Sequence, residues 1–179
     1  MKLKNLSTIT ESKRLDVNID VKTDISGEKY NSYDSDHWDK TYFDEVTGGY
    51  VVTHKGHKFD SETGKYEKET AVILAINGYK VEMMDESDFR KRQYDIRING
   101  IPTEIKVMNG YRNIHKRAVE ASEQDATRIV YYIKFKDNHQ MYNRFNNVYK
   151  TVEKINEIWF IKDNKLHYFT NKKTACQTD

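Results

Sequence analysis

The chain has 179 residues, and 30 Lys and Arg against 28 Asp and Glu leave it a net charge of only +2. A protein that coats nucleic acid by charge alone is far more basic, so any such contact must be a local patch. Mean hydropathy is low, −0.91, but 13 Tyr, 7 Phe and 2 Trp supply bulky core material and exclude wholesale disorder. In chain order, residues 1–36 read as a polar N-terminal arm and 37–179 as the folded domain. Residues 11–21 alternate weakly (Leu15, Val17, Ile19, Val21), which suits a short edge strand, and 22–36 read as a loop or linker. Residues 1–25 hold no continuous apolar run, so neither a secretory signal nor a membrane span is expected there. The single Cys176 excludes a disulfide framework and a cysteine–zinc cluster. The expected location is a reducing cytoplasm, that of the producing cell or of a target cell into which something else carries the protein.

Order begins near His37-Trp38. Residues 42–54 (YFDEVTGGYVVTH) place a Gly48-Gly49 pair before a strand-like run, Tyr50-Val51-Val52. A helix follows over 65–77, with Ala71, Val72, Ile73, Leu74, Ala75 and Ile76 covering almost every direction and Gly78 where a C-cap belongs. A helix apolar all round is buried, so this one should lie against a sheet. Strands are expected over 80–84, 94–98 and 101–108. A second helix fits 113–127, stacking Ile114, Ala118, Ala121 and Asp125 on one side. Residues 128–135 (RIVYYIKF) have the length and continuity of a buried strand. A third helix over 142–155 and two strands, 157–161 and 165–169, turning at Asp163-Asn164, close the chain. The order predicts an α/β fold: a central mixed β-sheet flanked by helices, with the N-terminal arm and a C-terminal helix–hairpin extension.

The Asn99-Gly100 dipeptide is the strongest short-range signal for a tight type I′ hairpin, and its register can be counted. A two-residue loop pairs Ile98 with Ile101, Arg97 with Pro102, Ile96 with Thr103, and Asp95 with Glu104. Alternation then puts Ile96, Ile98, Ile101, Thr103, Ile105 and Val107 on the core face, and Asp95, Glu104 and Lys106 on the other. Two carboxylates directly opposite have Cβ atoms roughly 4.5–5.5 Å apart, which is destabilising unless something neutralises them. A divalent cation with hard oxygen ligands, Mg²⁺, Mn²⁺ or Ca²⁺, would do so, helped by the lysine two residues along. The alternative is a solvated charge ladder, with Glu104 paired to Lys106 or Arg97.

Asp95, then eight residues, then Glu104-Ile105-Lys106, after a helix bearing Glu67 and Glu69, resembles the PD-(D/E)XK nuclease superfamily. The proline that usually precedes the aspartate is replaced by Tyr94. The strings GGYVVTHKGH, KETAVILAINGYKVEMM and DIRINGIPTEIKVMNG look like the C-terminal nuclease domain of contact-dependent growth-inhibition toxins. Similar domains end phage minor-head proteins. The resemblance covers residues 38–133 and implies phosphodiester cleavage inside a target cell, usually of tRNA. It implies that Asp95 and Glu104 hold Mg²⁺ or Mn²⁺, that Lys106 steadies the attacking water or the phosphate charge, and that Glu69 completes the site. Glu67, two positions away on a different helical face, is the rival; the plain reading of both is a charge complementing the helix dipole.

Arg112, His115, Lys116 and Arg117 form a basic cluster at the start of the second helix, where cations are unfavourable, which favours phosphate contact over a solvated turn. Gln124 on the same helix either joins the site or is exposed. His54 and His57 in HKGHK are poor evidence for zinc, but His54 could act as general base or acid in a metal-independent ribonuclease. Gly48-Gly49 reads as a turn, not a phosphate cradle. Of Tyr131, Tyr132, Tyr142 and Tyr149, most are better explained as core than as base-stacking platforms. The function expected is therefore a metal-dependent nuclease acting on tRNA as a toxin-type effector, with an immunity or carrier protein as a further partner. The alternatives are a DNA endonuclease of restriction or repair type, and a catalytically silent nucleic-acid-binding or phage-structural module. The sequence leaves the oligomeric state open.

Overall fold

The computed structural model of the protein describes residues 10–11, 19–87 and 94–170. In chain order the elements are β1 (Thr10–Glu11), α1 (Ile19–Asn31), β2 (Trp38–Phe43), β3 (Tyr50–His54), α2 (Gly64–Ile76), β4 (Lys80–Met83), β5 (Ile96–Ile98) and β6 (Ile101–Met108). A 3₁₀ turn (Tyr111–Asn113) leads into α3 (Ile114–Glu123), then β7 (Arg128–Ile133), α4 (His139–Thr151), β8 (Glu157–Lys162) and β9 (Lys165–Phe169). The nine strands form one sheet in the order β1-β9-β8-β7-β6-β5-β4-β3-β2. Pairs β3–β4, β6–β7 and β7–β8 are parallel and the rest antiparallel, so the sheet is mixed and flanked by helices, as expected. No helix among the described residues is long and apolar enough to cross a membrane.

Two cores lie on the two faces of this sheet. Ala71, Leu74 and Ala75 of α2 pack on Val81, Met83, Ile96, Ile98, Ile105, Val130 and Trp159. On the opposite face Ile114, Ala118 and Ala121 of α3, with Met141, Phe145 and Val148 of α4, pack on Met108, Ile129, Tyr131, Ile133 and Phe160. Alternation explains why β7 serves both: Ile129, Tyr131 and Ile133 point one way and Val130 the other. Each fully buried aliphatic side chain contributes about 1.5–3 kcal/mol, so the centre of the sheet is the most strongly held part of the molecule.

Several expectations need correction. Residues 22–36 are not simply a loop, since Ile19–Asn31 is helical. Its sequence has almost no apolar periodicity; docking holds it, with Tyr30 packed 5.3 Å from the Phe43 ring and 5.6 Å from the Tyr50 ring. Of the edge strand expected over 11–21, only Glu11 pairs, with β9, as part of Thr10–Glu11; residues 12–18 lie outside the described residues, and 19–21 open the helix instead. The buried α2 keeps one flank in solvent, because Ile76 is 42% exposed. The second helix stops at Glu123, and Asp125 (φ 60°) turns the chain instead of extending the buried stripe. The third helix starts at His139 and ends at Thr151, because the Asn138 side chain accepts from the Met141 N–H at 3.0 Å and caps it. Gly49 sits where an added Cβ would lie 2.0 Å from the Ala75 carbonyl oxygen, so the Gly48-Gly49 pair lets the β2–β3 turn press against the end of α2.

Candidate active site

The hairpin forms in the counted register, Ile96 opposite Thr103, Arg97 opposite Pro102 and Ile98 opposite Ile101. Asn99 (φ 51°) and Gly100 (φ 82°) both take the left-handed conformation that a type I′ turn requires. Asp95 lies just outside the ladder. Its N–H donates to Glu104 Oε2 at 3.0 Å, and the Ile105 N–H donates to Asp95 Oδ2 at 3.3 Å. Each carboxylate is thus fixed by a main-chain N–H belonging to the other's strand. The Lys106 ammonium donates to Glu104 Oε1.

The face carrying this group is not solvated. Glu104 is 0% exposed, because its neighbour across the parallel pairing is Ile129, and Lys106 lies beside Tyr131; both belong to the core under α3 and α4. That overturns the single-core assignment of the hairpin. Burial pushes the Glu104 carboxyl up to about 8, and the nearby Asp95 charge adds to the effect against the pull of Lys106. Burial likewise raises the Asp95 carboxyl, with Lys106 opposing and Glu86 adding to it. Burial alone would lower the Lys106 ammonium, but the charges of Glu104 and Asp95 outweigh it and the net direction is up.

Glu67, not Glu69, belongs to this environment. Burial raises its carboxyl and the charge of Asp95 raises it further, while Thr63 Oγ1 donates to its Oε1 at 3.2 Å. Glu69 lies two residues on and faces elsewhere, accepting from the Tyr132 hydroxyl at 2.8 Å at an exposed position. The structure also brings in His57, which the sequence offered only as weak evidence for zinc, and Glu86, which it did not single out. His57 Nδ1 lies 2.9 Å from the Met84 carbonyl oxygen and 3.0 Å from Glu86 Oε1. Both partners are acceptors there, so that nitrogen carries the proton. The charges of Glu86 and Glu67 outweigh burial and raise the His57 imidazole. Loops from opposite ends of α2 and β4 deliver these residues, and no local spacing signals it.

The remaining candidates lie elsewhere. His54 packs edge-on against Trp38, 5.0 Å between rings, with Nδ1 3.7 Å from Asp85 Oδ1. Gln124 is the half-buried C-cap of α3. His115 Nε2 bonds the Thr151 hydroxyl at 2.7 Å, tying α3 to α4. Lys116 and Arg117 pair with Glu120 at 3.8 and 2.8 Å, and Arg117 is near enough for its charge to oppose protonation of Lys106. Tyr131 is core, its hydroxyl donating to the Ile114 carbonyl oxygen at 2.8 Å, and Tyr149 donates to that of Phe169 at 2.6 Å.

Among the described residues, no three His, Cys, Asp or Glu side chains form a ready-made metal cage. Asp95 and Glu104 nevertheless offer hard oxygen donors whose mutual repulsion a cation would relieve. One or two carboxylates, with water and substrate phosphate filling the remaining positions, is the donor set that suits Mg²⁺.

No family model matches the sequence, and no curated protein is detectably similar to it. Among solved structures, the chain is similar to a chain of the CdiA-CT/CdiI toxin and immunity complex from Burkholderia pseudomallei. The TM-score is 0.50 at 19% identity, over 62% of this chain and 86% of that one. At that identity the likeness is one of fold.

Proposed function

We propose that this chain is a metal-dependent nuclease that hydrolyses phosphodiester bonds in RNA, tRNA foremost, as a toxin-type effector. The observation that carries the proposal is the hairpin group: Asp95 and Glu104 held by each other's strands, with Lys106 on Glu104, in a pocket dry enough to raise both carboxyls. A structural hairpin gains nothing from such a pair, since facing like charges and burial both cost stability. The likeness to a chain from a toxin and immunity complex supports the effector role. It also supports an immunity protein as a partner.

In this reading Asp95 and Glu104 hold the divalent cation, with Glu67 near enough in charge to assist. When bound, the cation polarises a phosphate oxygen and lowers the pKa of a water. Lys106, held against Glu104, offers its ammonium to the charge that grows on the phosphate. Burial of the group keeps water from screening that interaction. His57, with Nδ1–H fixed by Glu86 and the Met84 carbonyl, sets the charge around Glu67 without touching the reacting atoms.

Cleavage of total tRNA and of plasmid DNA, in Mg²⁺, Mn²⁺ or EDTA, tests the proposal against Glu104→Gln. Metal-dependent tRNA cleavage lost in the variant is expected. Metal-dependent DNA nicking would keep the site and overturn the substrate. Metal-independent RNA cleavage that survives in Glu104→Gln would overturn the site, and no cleavage of either by folded protein would overturn the enzyme.

A further inference from the structure

The charge of this molecule is unevenly distributed. Residues 105–119 contain no Asp or Glu but four cations, Lys106, Arg112, Lys116 and Arg117; residues 138–152 also contain no acid and carry Arg144 and Lys150. The fold sets these two stretches side by side, as the 3₁₀ turn and α3 on one hand and α4 on the other. Where they meet is a groove of about 540 Å³, lined by Tyr111, Arg112, Gln140, Asn143, Arg144 and Asn147. The four α4 residues follow the spacing i, i+3, i+4, i+7, one continuous stripe, while Met141, Phe145 and Val148 turn to the core. No carboxylate among the described residues lies within ion-pair range of Arg112 or Arg144, unlike Lys116 and Arg117, which Glu120 engages.

We infer that this groove is a binding site for single-stranded RNA and extends the catalytic site. Two guanidinium groups without carboxylate partners suit backbone phosphates. Three amide side chains offer paired donors and acceptors that match the exposed edges of unstacked bases, and the half-exposed Tyr111 ring gives a base a face to stack on. An acidic protein surface would use the arginines and leave the amides idle, so the lining favours RNA. The groove opens beyond the end of β6, six residues after Lys106, at most about 21 Å of extended chain. Arg117 of α3, on the same stretch as Arg112, is close enough for its charge to act on Lys106. Only the direction of the strand, across Lys106, rests on the nuclease reading; binding in the groove does not.

The test is fluorescence anisotropy of a labelled 12-nucleotide uridine-rich RNA with the full chain in EDTA, between 50 and 200 mM salt. Arg112→Ala/Arg144→Ala should flatten the logarithmic salt dependence by about 1.4, since each phosphate contact on a single strand contributes about 0.7. Asn143→Ala/Asn147→Ala should weaken binding roughly 5- to 30-fold at an unchanged salt slope, as lost uncharged hydrogen bonds do. Of the four varied positions Arg112, Asn143 and Arg144 are exposed and Asn147 is half-buried, so the variants should fold, which unchanged melting curves check. An unchanged slope in the arginine variant, or no RNA binding by the wild type, overturns the groove while leaving the cleavage test of Glu104→Gln intact. Equal capture of polyglutamate, insensitive to the amide variant, overturns RNA in favour of an acidic partner.

Discussion

Replacing Glu104 by Gln should stabilise the metal-free protein at alkaline pH and not at acid pH. A carboxyl whose ordinary value is 4.5 but whose folded value is about 8 binds its proton more tightly in the native state than in the unfolded one. The native state is therefore favoured below pH 4.5, and that advantage is lost as pH rises to about 8, at up to about 1.4 kcal/mol per pH unit. The whole interval would amount to about 5 kcal/mol for an isolated group. Lys106 on Oε1 and the coupled Asp95 share the charge, so roughly 2 kcal/mol should separate the two proteins at pH 8. Urea unfolding in EDTA between pH 5 and 8.5 measures it. Wild-type stability should fall with pH while Glu104→Gln stays flatter, and millimolar Mg²⁺ should restore the wild type at pH 8 with little effect on the variant. Parallel pH slopes for the two proteins would refute the claim that Glu104 is a buried, charge-frustrated carboxyl.

Glu67→Gln should raise the Mg²⁺ concentration for half-maximal cleavage about 10- to 100-fold, whereas Glu69→Gln should leave it unchanged; the reverse order would return the helix carboxylate to Glu69. Arg128 binds Glu157 through two hydrogen bonds of 3.0 and 2.8 Å, donates to the Ile98 carbonyl oxygen and lies 4.0 Å from the Trp159 ring. Arg128→Ala should therefore cost about 3 kcal/mol or more by denaturant unfolding, mostly from lost packing and from the carbonyl left buried. Asn138→Ala should cost about 1 kcal/mol through the lost cap of α4, and Asn138→Asp should retain most of it.

What was legible in the sequence was what local rules determine. Asn99-Gly100 fixes a hairpin register by itself, and the apolar block 71–76 before Gly78 marks a helix laid against the sheet. Asn138, three residues before Met141, is an N-cap residue by type, and it starts α4 three residues ahead of the expected 142. What stayed hidden depends on docking. Strand alternation says that Glu104 and Ile105 face opposite ways, but only the arrival of α3 and α4 makes the Glu104 face a second core. The same holds for α2, where 67 and 69 differ by about half a turn and only the placed helix decides which one meets Asp95. Helix α1 could not be read at all, because its hold is Tyr30 on distant Phe43 and Tyr50.

A net charge of +2 on 179 residues conceals a separation that the proposed chemistry needs. Glu67, Glu86 and Glu104 all lie close enough to Asp95 for the charges to interact, and such a group repels a polyanion. A cation between the carboxylates removes part of that repulsion, but only at the site itself. The elements beyond β6 then have to hold the strand on their own, and among the described residues Arg112 and Arg144 stand there without a carboxylate in ion-pair range, while Glu120 engages Lys116 and Arg117. In the proposed reaction neither half would work alone: without the basic groove the acidic site would repel its substrate, and without the carboxylates the groove would bind but not cut. Removing Arg112 and Arg144 should therefore raise KM for a long RNA while leaving turnover of a dinucleotide, too short to reach them, unchanged.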